Sequence, residues 1–212
     1  MRGRMSRTRQ GRARFKHRRV ADGRRQSTVY EMRRLRLIAE LSRGSILDVG
    51  YAQFPNPFLD AAKTTGVDLE PPASPSTYVE ELIGSAFDLG TVTSGRRFDT
   101  VIAAEVIEHV EDPYAFLRGL RESVAADGQL LLSTPNPLEF PVLLLELVRS
   151  KRWFYTIDHR HYFLPRWVER MFDLTGFRLL EVRPVGLWLP VGCIPWSPVW
   201  MSYQLIYVAE AR

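Results

Sequence analysis

Apolar residues along this chain follow two rhythms. Short unbroken runs at Ile46-Leu47 with Val49, at Val101-Ile102-Ala103-Ala104 and at Leu130-Leu131-Leu132 are bounded by charged or turn residues. Such runs predict strands buried on both faces. Between them the spacing changes to three and four. Met32, Leu35, Ile38, Ala39 and Leu41 mark a helix from Ser27 to about Arg43. Phe116, Leu117, Leu120 and Val124 mark a second, opened by Asp112-Pro113 and expected to end at Asp127-Gly128. Residues 164–175 mark a third, closed by Gly176. Weaker strand signals lie at 66–69, 78–82, 177–183 and 201–209. Asn56-Pro57 reads as the start of a further helix over 57–64. The alternation predicts an α/β fold with a mostly parallel sheet between two helical layers.

The stretch 45–50 stands out in this pattern: a strand that runs into Gly50, then a new element. A strand feeding a glycine turn is how open α/β sheets make a ligand crevice. Asp68 follows at the end of the second strand, where a carboxylate can accept both hydroxyls of a ribose. The turn has no second or third glycine, and Tyr51, Ala52, Gln53 and Phe54 fill it. A dinucleotide pyrophosphate needs close backbone approach there, whereas a cofactor without phosphate does not. The substituted turn therefore counts more against a nicotinamide dinucleotide than against a methyl donor. Tyr51 and Phe54 are expected to reshape or close the pocket beside it.

Charge divides the chain. Residues 1–36 hold fourteen Arg or Lys against two acids, and the remainder holds fifteen against twenty-two. The net of +5 thus joins a strongly basic N-terminal extension (1–26) to an acidic domain (27–212). An acidic domain argues against a nucleic-acid surface. The single cysteine, Cys193, excludes an internal disulfide and a cysteine-rich metal centre. The absence of a long apolar run predicts no spanning helix, and the basic start without an apolar segment predicts no secretory signal. The expected setting is cytoplasmic, with membrane association open.

Residues 98–113, Phe-Asp-Thr-Val-Ile-Ala-Ala-Glu-Val-Ile-Glu-His-Val-Glu-Asp-Pro, resemble the fourth strand and following turn of class I S-adenosylmethionine-dependent methyltransferases, most closely the ubiquinone-biosynthesis type. Leu131-Leu132-Ser133-Thr134-Pro135-Asn136-Pro137 is similar to their fifth strand and exit loop. Asp158-His159-Arg160-His161-Tyr162-Phe163, Trp167 and Thr175-Gly176-Phe177 are similar to their late region. The resemblance covers about residues 45–183. It implies a Rossmann-like, seven-stranded sheet with a final antiparallel strand and helices on both faces.

The resemblance also implies S-adenosylmethionine as cofactor and transfer of its methyl group to a small-molecule acceptor, at oxygen. It places Asp48 and Gly50 near the methionine end, Asp68 on the ribose and Leu69 beside the adenine. It places Ser85 and Ala86 at the adenine edge, where the family carries an acid in place of Ser85, and Ala104 and Glu105 under the sulfonium. His109 is a candidate general base by residue type, as are His159 and His161, which alternate along an extended segment. Relatives that hold a divalent ion suggest Glu105, Glu108 and His109 as ligands, but carboxylate–imidazole sets are not specific for metal, and no metal is assigned. The apolar stretch 140–148, the basic-aromatic patch 149–155 and the Trp-rich loop expected at 185–200 suit a lid, or a surface for a lipid-linked acceptor or a membrane interface. Two rival functions remain open: a non-catalytic module of the same fold, and an RNA-associated protein acting through its arginine tail.

Overall fold

The computed structural model describes residues 29–72, 75–139, 143–144, 159–189 and 192–212. The basic extension, the helix expected at 140–148 and the patch 149–155 lie outside these residues, apart from Leu143 and Leu144. Nine strands are present among the described residues: β1 Ile46–Val49, β2 Thr64–Asp68, β3 Glu80–Ile83, β4 Phe98–Ala104, β5 Val124–Pro135, β6 Phe177–Pro184, β7 Leu187–Leu189, β8 Gly192–Ile194 and β9 Gln204–Ala211. The helices are α1 Val29–Leu41, α2 Leu89–Val92, α3 Pro113–Ser123 and α4 Pro165–Thr175.

Seven strands form one sheet in the order β3-β2-β1-β4-β5-β9-β6. β1 pairs parallel with β2 and β4, and β4 with β5. β9 runs antiparallel between β5 and β6, so one reversed strand sits in an otherwise parallel sheet. The order reverses between β1 and β4, which opens a crevice at their carboxyl ends. Every side chain of β1 is buried, Asp48 together with its apolar neighbours.

Two apolar clusters cover the faces of the sheet. Leu47, Val101, Phe116, Leu120, Leu132, Phe172 and Tyr207 belong to one. Ile38, Ile46, Tyr51, Tyr78, Ile102 and Leu131 belong to the other. α3 opens as its sequence dictates: Asp112 accepts the Ala115 N–H at 2.9 Å and Pro113 follows. α4 closes on Gly176.

Three expectations need correction. No helix spans 57–64. Asn56 Oδ1 accepts the Phe58 N–H, but the chain runs on to a short 3-10 turn, Ala61–Lys63, capped by Asp60. Asn56 spends the rest of its hydrogen-bonding capacity on other elements, so it braces the turn without starting a helix. Secondly, Asp127-Gly128 does not separate α3 from β5. The strand begins at Val124, and its pairing with β4 shifts register between Phe98 and Thr100, which takes up the extra residues. Thirdly, the stretch 185–200 holds a hairpin, β7 with β8, and a 3-10 turn at Val199–Met201.

A crevice at the carboxyl ends of β1, β2 and β4

The sharp turn at Gly50 opens the site. Gly50 has φ 80°, and a Cβ there would stand 2.5 Å from Val106 Cγ2, so only glycine passes. Its N–H donates to Val67 O at 2.8 Å, which binds the turn to β2. The crevice below has a volume of about 290 Å³. Gly50, Asp68, Leu69, Ser85 and Ala86 line one side, and Val106, His109 and Arg160 the other. A shallower depression of about 590 Å³ lies at the amino ends of the strands, beside Lys63 and Arg96. Those two cations are already paired with Asp60 and Glu80, and open α/β sheets bind ligands at the opposite end.

Asp68 is held at the edge of the crevice. Its carboxylate accepts the Ala52 N–H at 2.9 Å and the Leu69 N–H at 2.7 Å. Those bonds fix its orientation and leave lone pairs free for a diol. Leu69 is 70% exposed, a free apolar face on the same rim. Ser85 Oγ accepts the Phe87 N–H at 3.2 Å.

Deeper in, charged side chains converge. Asp48 is buried and accepts a 2.7 Å hydrogen bond from the Tyr78 hydroxyl. Burial pushes its carboxyl up to about 7, against the pull of Tyr78 and Arg34. Glu105 follows Ala104 at the end of β4 with φ 58°, a left-handed conformation unusual for a non-glycine residue. Its carboxylate accepts from Ser133 Oγ at 2.9 Å and from Gln204 Nε2 at 2.8 Å, and pairs with Arg34 at 3.1 Å. The strained backbone is thus over-determined by three partners, a pattern that clusters at functional sites.

Arg34 was not legible as a site residue. Arg33-Arg34-Leu35-Arg36 reads as the solvated side of a helix, yet Arg34 is only 6% exposed. Burial lowers its pKa, and Glu31, Glu108 and Asp48 oppose that shift.

On the other wall, segment 159–163 docks onto the turn after β4. The Arg160 and His161 N–H groups both donate to Glu108 O. This brings the His159 ring edge-on to His109, with centroids 4.8 Å apart. One ligand atom each from Glu108, His109 and His159 lies within 4.8 Å of the others. Glu108 is buried, and burial pushes its carboxyl up to about 7 while Arg34 and Thr134 pull it down. The third histidine diverges: the His161 ring lies on Phe163 at 5.6 Å. Alternation along the segment does not put both histidines against His109.

Tyr51 neither narrows nor closes the crevice. Its ring turns into the second cluster, 5.3 Å from the ring of Tyr78, and lies over Gly66. A Cβ on Gly66 would stand 2.6 Å from Tyr51 Cε1. The side chain in the turn is accommodated by a glycine present on the neighbouring strand, β2.

A family model described as a methyltransferase domain matches residues 22–182. Among curated proteins the chain is similar to ubiquinone biosynthesis O-methyltransferases. One from Cereibacter sphaeroides is 34% identical over 101 residues, 43% of this chain and 41% of that protein. One from Azorhizobium caulinodans is 33% identical over 93 residues, 42% of this chain and 37% of that protein. The chain thus spans about two fifths of the length of these curated relatives. Among solved structures, the CcbJ methyltransferase from Streptomyces caelestis superposes with a TM-score of 0.63 at 15% identity, covering 88% of this chain and 97% of that one. A magnesium protoporphyrin IX methyltransferase from Synechocystis with bound S-adenosylhomocysteine gives 0.56 at 17% identity, covering 87% and 84%.

Proposed function

The chain belongs to the family of methyltransferase domains, and from that premise we propose that it methylates a hydroxyl oxygen of a small-molecule acceptor, with S-adenosylmethionine as cofactor. When bound, S-adenosylmethionine supplies an electrophilic methyl carbon on a sulfonium sulfur. The residues present fit it. Asp68 keeps free lone pairs for the ribose hydroxyls. Leu69, Ser85 and Ala86 offer an apolar and polar edge for adenine. Asp48 and the buried guanidinium of Arg34 suit the ammonium and carboxylate of the amino-acid end. Gly50 lines the crevice between them, and Ala104 and Glu105 stand at the end of β4, tied to Arg34 through the Glu105 carboxylate.

The observation that carries the oxygen assignment is the pairing of His109 and His159 in front of Glu108. An imidazole nitrogen at the crevice would take the proton of the acceptor hydroxyl, the group whose oxygen the bound cofactor would methylate, with its carbon–sulfur bond broken and S-adenosylhomocysteine released. Glu108 lies behind the pair, a carboxylate oxygen within 4.8 Å of a ring nitrogen of each. His109 lines the crevice itself and is the first choice as base. His159 orients it, and His161 anchors the segment. The chain's main contribution is alignment, since proximity and orientation dominate a displacement of this kind.

An apolar or lipid-linked acceptor, taken at a membrane surface, is the finer form of this reading. Ile194, Trp196 and Trp200 are exposed, Trp196 by 78%. Arg33 of α1 donates to Pro195 O and Val185 O, so a cationic side chain of α1 lies beside the segment that carries these tryptophans. Aromatic side chains beside a cationic segment suit an anionic lipid interface.

Titration calorimetry with S-adenosylmethionine and S-adenosylhomocysteine tests the premise, followed by transfer of a labelled methyl group to phenolic and aliphatic hydroxyl acceptors. Binding with label recovered as a methyl ether is the expected result. No binding at millimolar ligand overturns the enzyme reading and leaves a non-catalytic module of the same fold.

A further inference from the structure

Resting on the donor-binding reading above, we propose that Tyr78 is a positioning residue that holds Asp48 and Arg34 in place for the donor's amino-acid end, in a turn that lacks both the usual glycines and a following helix. The hydroxyl of Tyr78 joins two elements. It donates to Asp48 Oδ2 at 2.7 Å and accepts the Asn56 N–H at 2.7 Å. Asn56 then passes the connection on. Its Nδ2 donates to Leu35 O at 2.9 Å, and its Oδ1 accepts the Phe58 N–H at 3.0 Å. Two side chains therefore link the end of β1, the turn after it, the β2–β3 connection and α1. Leu35 adjoins Arg34 along α1, so the Asn56 bond ties the helix that carries the buried guanidinium to the same turn.

This arrangement answers the loss of the expected helix. Between β1 and β2 the chain makes only a 3-10 turn at Ala61–Lys63. A longer helix starting there would direct free backbone N–H groups at the ligand. In this chain a phenol and a carboxamide do the holding, and the Tyr51 ring packed on Tyr78 at 5.3 Å seals the network from below.

The network also governs charge. Asp48 faces Arg34 from α1, Asp68 from β2, Tyr78 from the β2–β3 connection and Tyr51 from the turn. The Tyr78 hydrogen bond and Arg34 favour its ionised form; burial and Asp68 oppose it. Ionised Asp48 attracts the donor's ammonium, and protonated Asp48 does not. Removing the hydroxyl therefore weakens binding most where Asp48 is part-titrated, and moves the binding midpoint to higher pH.

The test is calorimetric titration of the full chain with S-adenosylhomocysteine between about pH 6 and 8.5, with Tyr78→Phe, Asp48→Asn and the double variant, each checked for melting temperature. For the wild type, affinity should fall on the acid side of about 7. Tyr78→Phe should bind about ten-fold more weakly near neutrality, the loss of one hydrogen bond to a charged group, with its midpoint displaced upward. Asp48→Asn should remove the pH dependence, and Tyr78→Phe should then add little. Equal loss at every pH with an unmoved midpoint would reduce Tyr78 to a packing residue and overturn the proposal. Unchanged binding in a folded Tyr78→Phe would overturn it too. A wild type that binds at no pH would instead sink the donor reading.

Discussion

The two walls of the crevice are built on different principles. On the β1–β2 side, Asp68 is fixed by backbone N–H groups and Asp48 by a phenol, all within a close hydrogen-bonded frame. On the far side, His109 and His159 meet edge to face on segments joined through the Glu108 carbonyl and the Arg160–Glu111 ion pair. The first wall has the geometry of a holder, with its partners satisfied and its orientation set before a ligand arrives. The second presents basic nitrogens over a buried carboxyl, a geometry suited to moving a proton. On the proposed reading, binding and chemistry fall on opposite walls of the crevice, and each can be broken without the other.

The largest expected effect falls on the proton-moving wall. His109→Ala should lower kcat by about a hundred-fold or more while leaving the dissociation constant for S-adenosylhomocysteine unchanged; a matching loss of donor affinity would erase the distinction. If the triad acts as a base, chelators should leave activity intact, and a strict need for a divalent ion would recast Glu108, His109 and His159 as ligands. On the holding wall, Asp68→Ala should weaken donor binding by roughly ten- to a hundred-fold, the worth of one or two charged hydrogen bonds, measured by calorimetry. Tyr51→Gly should not improve binding. It should remove about 3 kcal/mol of stability by emptying a core position, read from denaturant unfolding.

Smaller effects involve pH and lipid. Glu108 has its folded pKa raised by burial to about 7, so the folded state binds more protons than the unfolded one below that value. Stability then falls as pH rises from the ordinary carboxylate range through about 7. Glu108→Gln should shrink that fall by roughly 5 °C in Tm, followed by thermal melts at several pH values. The least of these changes is expected for Trp196→Ala with Trp200→Ala, which should reduce sedimentation with anionic vesicles by a few fold, about 1 kcal/mol, without altering donor affinity.

Much of this could be read without coordinates. β1, β4 and β5 announce themselves because strands buried on both faces carry short consecutive apolar runs. Asp112-Pro113 and Gly176 mark helix ends through local chemistry that needs no tertiary context. Gly50 and Asp68 are legible as crevice residues because a strand, a glycine turn and a strand-end acid occur at the right intervals. Other features depend on which distant atoms meet. Arg34 looks like a solvated cation until α1 is seen lying across the strand ends. Asn56 looks like a helix cap until Leu35 and Tyr78 claim its polar groups. Tyr51 looks like an obstruction until Gly66, on the neighbouring strand, makes room for its ring.

The sheet, the crevice and the family of the chain are legible along the sequence, because periodicity, turn chemistry and strand-end residues act over short stretches. Tertiary structure decided which charges are buried, which histidines face each other, and how a turn without its usual glycines is held. Those are properties of pairs far apart in the chain, and burial and hydrogen bonding between them exist only once the fold has closed.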